Sequence, residues 1–170
     1  HCMYSYRNTR AHNSILVNGM TQKIGTEGYG WIPRWYEGEK IAYMVGDASN
    51  AYGKVTSPLW LKRGKLSGTQ YTPEKGWDEN KLDMFRRHII QLGSTGVFVI
   101  YDELEGKEAV TWGYLLHTVE LPMEIQELPN EVKVTGRNKA GGISVAHLFS
   151  SAKTEQAMVD TFFCAPTNWK

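Results

Sequence analysis

Three features of the 170-residue sequence predict an all-β fold, an antiparallel two-sheet β-sandwich. Short segments rich in β-branched and aromatic residues alternate apolar and polar positions with a period of two. Gly, Pro and Asn clusters separate them at intervals of about a dozen residues. Hardly any stretch has helical periodicity, so the crossover helices that a parallel sheet needs have no candidates.

The elements follow in order. Asn13 to Val17 reads as the first strand, ended by Asn18-Gly19, a pair that takes the positive φ values of a tight hairpin turn. A return strand is expected near Gln22 to Ile24. Trp31 to Tyr36 and Lys40 to Val45 form a second pair across Glu37-Gly38. Pro58 and Pro73, with Gly53, Gly64, Gly68 and Gly76, predict a long loop-rich insertion over about 53–80. Leu82 to Leu92 and Val97 to Asp102 make the clearest hairpin, turned by Gly93-Ser94-Thr95-Gly96. Further strands are expected at Val110 to Val119, Glu124 to Leu128, Glu131 to Thr135, Gly142 to Phe149 and Gln156 to Phe163.

This length suits one domain with a real core, and the chain is read as a single unit over 1–170. Nineteen basic against eighteen acidic residues give a formal charge of +1. Such a balance supplies no field that would draw the chain onto nucleic acid. No apolar stretch approaches the roughly 20 residues of a membrane-spanning helix, so no membrane span is expected and the chain reads as soluble. It opens at His1 and Cys2 with an aromatic run and no leader-like segment, as a piece of a longer polypeptide would. Cys2 and Cys164 stand at opposite ends, and their spacing leaves both a bridge and two free thiols open.

The sequence has no G-x-S-x-G, P-loop, dinucleotide fingerprint or H-E-x-x-H. The five histidines, His1, His12, His88, His117 and His147, lack the short spacing of a ready metal pair. His12 lies at the entrance of the first strand, where an imidazole can serve a site or simply hold structure by hydrogen bonding. His117, in line with Leu115 and Val119, and His147, in line with Val145 and Phe149, read as core-edge histidines. His88 follows Arg86-Arg87. That basic cluster could meet a sugar carboxylate or sulfate, or pair internally with Asp102 or Glu103 across the hairpin. Trp31, Trp35, Tyr36, Tyr43, Tyr52 and Trp60 crowd the first third, as rings of a carbohydrate groove or as ordinary sandwich core. Tyr4 and Tyr6 precede His12 within the reach of one extended segment, and a phenol beside a cation can exchange a proton.

The segment Thr9-Arg10-Ala11-His12-Asn13-Ser14-Ile15-Leu16-Val17-Asn18-Gly19 resembles the T-R-A-H-N-T-V-L-V-D-G segment of the heparinase II/III-like polysaccharide lyases. Three more stretches, in the family's order, extend the likeness. Val45-Gly46-Asp47-Ala48 is similar to its V-G-D-A segment. Phe85-Arg86-Arg87-His88-Ile89-Ile90 with Val97 to Asp102 is similar to its F-R-R-x-V-L and F-V-I-Y-D-D-L hairpin. Trp112 to Thr118 is similar to its W-L-L-H segment. Together they span residues 9 to 118.

The resemblance implies the C-terminal β-sandwich of a larger α+β enzyme whose N-terminal helical toroid, a partner in the same polypeptide, is missing here. It implies β-elimination on an acidic polysaccharide, of glycosaminoglycan or alginate type, with the isolated piece inactive. A zinc ion would be held by His12 and by a histidine and an aspartate that precede His1. Arg10, Asn13 and Arg87 are the expected substrate contacts, and Tyr4 and Tyr6 are candidates for a catalytic tyrosine. A periplasmic or secreted location goes with that reading. Two rivals predict differently: a non-catalytic carbohydrate-binding sandwich, and a purely structural domain whose His12 is a hydrogen-bonded residue.

Overall fold

A computed structural model describes residues 9–23, 25–66, 79–117 and 121–158. The chain divides into two compact units, 1–115 and 116–170. Every strand pairing in both is antiparallel, so the all-β antiparallel class is the observed one and is consistent with a sandwich.

Among its described residues the first unit holds six strands: β1 (Ile15–Val17), β2 (Trp31–Glu37), β3 (Ile41–Asp47), β4 (Leu82–Leu92), β5 (Phe98–Gly106) and β6 (Trp112–Tyr114). β2, β3, β4 and β5 form a four-stranded meander, while β1 and β6 form a separate pair. The Gly93–Gly96 turn brings the amide of Leu92 to the carbonyl of Val97 at 3.0 Å. That contact fixes the register in which Arg87 faces Asp102 and His88 faces Tyr101.

β2 is an edge strand, and its pairing with β3 slips between Trp31 and Arg34. Pro33 lies in this slip. A proline has no amide to give a ladder, so an edge and a bulge are where a sheet tolerates one.

Asn18-Gly19 makes the expected turn, with φ of 51° and 72°. Val17 and Met20 exchange backbone hydrogen bonds across it, at 3.2 and 2.8 Å. The return strand at Gln22 to Ile24 is not formed over its described residues. Met20 makes one isolated bridge, and the chain then leaves: the Gln22 amide donates to Thr9 Oγ1 and the Lys23 amide to the Ala51 carbonyl. The real partner of β1 is β6, nearly a hundred residues on. Since β1 has only three residues, β6 is far shorter than the expected Val110 to Val119.

The expected loop-rich insertion starts with a helix instead, α1 (Pro58–Leu66). Ser57-Pro58 is a helix-start pair, because proline at the first helical position lacks only an amide that would have no partner there. The Glu27 carboxylate accepts the amides of Thr56 and Ser57 at 2.9 and 3.1 Å and also the Thr56 hydroxyl. Trp60 on this helix lies against Gly25, where a Cβ would come within 2.3 Å of the indole. Gly25 also has φ of 80°, so only glycine fits on both counts. Residues 67–78 of the expected insertion lie outside the described residues.

The core of this unit is Ile15, Val17, Ala51, Tyr52, Leu82 and Phe85, with Ala48, Leu104, Val110 and Trp112 packed against it. It joins β1, the start of β4 and the one-turn 3-10 helix Ser49–Ala51. The far ends of β4 and β5 lie beyond it.

The second unit is a three-stranded meander of β7 (Glu124–Leu128), β8 (Glu131–Arg137) and β9 (Ile143–Leu148). Val134 is its one buried hydrophobic residue among those described. Of the last expected strand, Gln156 to Met158 is not β, and 159–163 lies outside the described residues.

Candidate functional site

The segment from Thr9 to Asn13 is a one-turn 3-10 helix and the bend after it. Buried Thr9 anchors it, its hydroxyl accepting the Gln22 amide at 2.9 Å and its carbonyl accepting the His12 amide at 3.1 Å. The Arg10 guanidinium reaches over to the Gly19 carbonyl of the β1 turn. The turn thus presents His12 and Asn13 outward, both exposed, directly before β1 is swallowed by the core.

Arg87 connects this turn to the sheet. Its Nε and one terminal nitrogen form a two-pronged pair with Asp102, both at 2.7 Å, and its other terminal nitrogen donates to the Asn13 carbonyl at 2.7 Å. Its guanidinium carbon is 5.8 Å from the Phe85 ring centre and 5.7 Å from that of Tyr114. The side chains of Arg87 and Asp102 keep only 19% and 12% of their exposure, so this is a largely desolvated pair. Planar guanidinium matches carboxylate in two parallel hydrogen bonds, which explains why arginine rather than lysine holds the position.

Two phenols flank the pair. Tyr52 is fully buried and donates to the Ile15 carbonyl, and burial raises its pKa above the ordinary value of 10.0. Burial raises Tyr114 in the same direction. Both are therefore neutral hydrogen-bonding groups at physiological pH.

The structure brings Asn13 and Arg87 together through the Asn13 backbone and sets Arg10 and His12 on the same turn. Each nitrogen of the Arg87 fork has one partner inside the protein, so the side chain ties the His12-Asn13 turn to Asp102. Tyr4 and Tyr6 lie outside the described residues, as do Cys2 and Cys164.

The internal pairing that the sequence left open for the basic cluster is found for Arg87 with Asp102 and for His88 with Glu103, whereas Arg86 turns to Asp47 on β3. Arg86 Nε donates to buried Asp47 at 2.9 Å. Burial by itself would raise the Asp47 carboxyl. The hydrogen bonds from Arg86 and from Ser49 outweigh it and hold the group below its ordinary 3.8. His88 Nε2 lies 3.0 Å from Glu103, and His88 Nδ1 lies 2.8 Å from the Tyr43 hydroxyl. This Tyr43-His88-Glu103 chain was missed in the sequence, because Tyr43 joins it from β3 through a register that no local pattern shows. Arg87-Asp102 was readable, since the hairpin turn alone places those residues opposite each other.

His117 and His147 are exposed rather than at a core edge. The expected strand ends at Tyr114, short of His117, and His147 Nδ1 sits 3.1 Å from Glu131 on the neighbouring strand.

Among the described residues no three His, Cys, Asp or Glu side chains converge as a metal site would require. His12 is thus not joined by two further such side chains among the described residues. No helix among those residues is long and apolar enough to cross a membrane. Fold and site together define an antiparallel β-protein whose exposed His-Asn turn is braced by a desolvated arginine-aspartate pair. No protein-family model matches the chain, and no curated protein does.

Proposed function

We propose that this chain is the β-sandwich part of a polysaccharide lyase of the heparinase II/III-like kind, acting on uronic-acid-containing glycans by β-elimination. The observation that carries the reading is that the segments bearing the resemblance assemble around one another. Arg87, in the F-R-R stretch, joins the carbonyl of Asn13 to the carboxylate of Asp102. Asp47, in the V-G-D-A stretch, receives Arg86, and the next amide, Ala48, donates to the Phe85 carbonyl at 2.9 Å. Trp112 to Tyr114 pairs with Ile15 to Val17. Stretches scattered in the sequence are thus tied to one another, and Arg87 ties them to the turn that carries His12 and Asn13.

In the proposed reaction the uronate carboxylate is neutralised, a base takes the C5 proton, and C4 loses its linked oxygen, which is protonated as it leaves. This chain would contribute the Arg10, His12 and Asn13 wall of the cleft, with His12 as one zinc ligand completed from outside it. The toroid of the same polypeptide would supply most of the acid-base groups. Without those groups held in place the chain alone is expected to be inactive.

The test is to incubate the longer polypeptide containing these 170 residues with glycosaminoglycans and alginate and follow ultraviolet absorbance of unsaturated uronides. Product formation is expected. If no acidic glycan yields such a product, the reading fails. Metal analysis of that polypeptide against its His12→Ala variant tests the ligand role, with loss of bound zinc expected.

A further inference from the structure

The face of the β2–β5 sheet opposite Arg87 has a chemistry of its own. Its register places Arg34, Val45, His88 and Tyr101 in one row across the four strands, and Tyr36, Tyr43, Ile90 and Val99 in the next. Arg34, Tyr36 and Tyr101 are exposed, the two phenols at 61% and 59%. While Arg86 and Arg87 are both committed to carboxylates, Arg34 has no hydrogen-bond or ion-pair partner among the described residues.

Between Arg34 and Tyr101 runs the Tyr43-His88-Glu103 chain. In the tautomer with Glu103 accepting from His88 Nε2, the Nδ1 atom accepts from the half-buried Tyr43 hydroxyl, and that phenol keeps lone pairs with which to accept from another donor. The His88 ring also stacks on Tyr43 and tilts against Tyr101, with ring centres 6.0 and 5.6 Å apart, so its orientation is held from both sides. The row from Arg34 to Tyr101 crosses three strand spacings, ~14 Å, which exceeds a single sugar ring.

We propose that this face binds an acidic saccharide. Its anionic group would sit on Arg34, a hydroxyl would donate to Tyr43, and the apolar face of a sugar ring would pack on Tyr101. The charge argument is the Arg34 guanidinium, without an ion-pair partner among the described residues, on a face where Asp47 is taken up by Arg86 and Glu103 by His88. A fixed hydroxyl acceptor between flat exposed rings suits a polyhydroxylated ring, which has an apolar face and a polar rim. An acidic peptide is the poorer fit. It would add to the β2 edge, where Pro33 and the bulge interrupt the ladder. The inference extends the acidic-glycan reading above to a second place, on the side of the sheet away from Asn13, and does not require catalysis.

The experiment titrates the 170-residue chain with oligogalacturonate, a neutral cello-oligosaccharide of equal length, and polyglutamate. Amide chemical shifts in the wild-type chain are expected to move at Arg34, Tyr36, Tyr43, His88 and Tyr101 with oligogalacturonate alone. By calorimetry Arg34→Ala should weaken binding roughly tenfold or more, as loss of a hydrogen bond to a charged group does. Arg34→Lys should recover part of it, and Trp35→Ala, on the opposite face, should leave it unchanged. Far-ultraviolet circular dichroism checks the fold of each variant. The proposal is overturned if the wild-type chain binds no oligouronide, if shifts gather at Arg10 to Asn13 instead, or if polyglutamate competes equally. Binding on this face without elimination by the longer polypeptide would sink the lyase reading alone. Elimination without binding here would sink this one alone.

Discussion

The two units carry similar antiparallel meanders but are held in different ways. In residues 1–115 a core of six buried side chains, a desolvated Arg87-Asp102 pair and a buried Asp47 bind strands that are distant in sequence. In residues 116–170 neighbouring strands pair through short turns, and the described side chains bury one hydrophobic residue, Val134. Among the described residues, then, the first unit rests on a few interior groups, whereas the second is joined mainly by its backbone ladder. The exposed His12-Asn13 turn sits on the former, and an exposed pair keeps its geometry only if something rigid lies beneath it.

Substitutions in the two units should separate accordingly. The largest loss is expected for Asp102→Ala, about 3–5 kcal/mol in denaturant unfolding, since it strands the Arg87 charge in a largely dry setting. The double variant Arg87→Met with Asp102→Leu should regain much of that, and failure to regain it would mean that the pair contributes more than mutual neutralisation. Leu82→Ala should cost about 2–5 kcal/mol, from lost burial and the cavity left beside Tyr52. The corresponding cut in the second unit, Val134→Ala, should cost no more than about 1–2 kcal/mol, and Ile143→Ala, on its exposed surface, within about 0.5 kcal/mol.

A pH titration sharpens the contrast. Asp47 has a folded-state pKa below its ordinary 3.8, so its contribution is complete above that value and is lost as pH falls through the lower one. Asp47→Asn should flatten this acid limb and cost about 1–3 kcal/mol at neutral pH. The half-buried Glu27 carboxyl is lowered by the Thr56 hydroxyl first and then by the Ser57 amide. Glu27→Gln should give the smallest effect, a slight fall in melting temperature with faster amide exchange at Thr56 and Ser57. Equal acid sensitivity of both units by hydrogen exchange would erase the distinction between them.

What could be read in advance tracks the separation of the partners. The β4–β5 hairpin was legible because one turn, Gly93 to Gly96, sets its register, and with it the meeting of Arg87 and Asp102. The strand at Gln22 to Ile24 was misread for the same reason in reverse. Asn18-Gly19 forms the turn it promises, yet β1 finds its true partner at Trp112 to Tyr114. The helix at Pro58–Leu66 was overlooked although Ser57-Pro58 marks its start, since glycines on the following stretch argued for loop. Of the candidate site, the TRAHN turn was found from its residues, while its bracing by the Arg87 fork depends on contacts across more than seventy residues.

By itself the sequence determined the β-class, the antiparallel hairpins, the Asn18-Gly19 turn and the pairing of opposite charges across β4 and β5. All of these are set by side-chain period and local turn chemistry. Only the tertiary structure decided that β1 joins β6, that Arg87 faces inward toward Asn13, and that Tyr43 completes a chain with His88 and Glu103. The physical reason is that burial and cross-strand register are collective: a residue's neighbours on a sheet are chosen by the packing of the whole face, and no short window of sequence contains them.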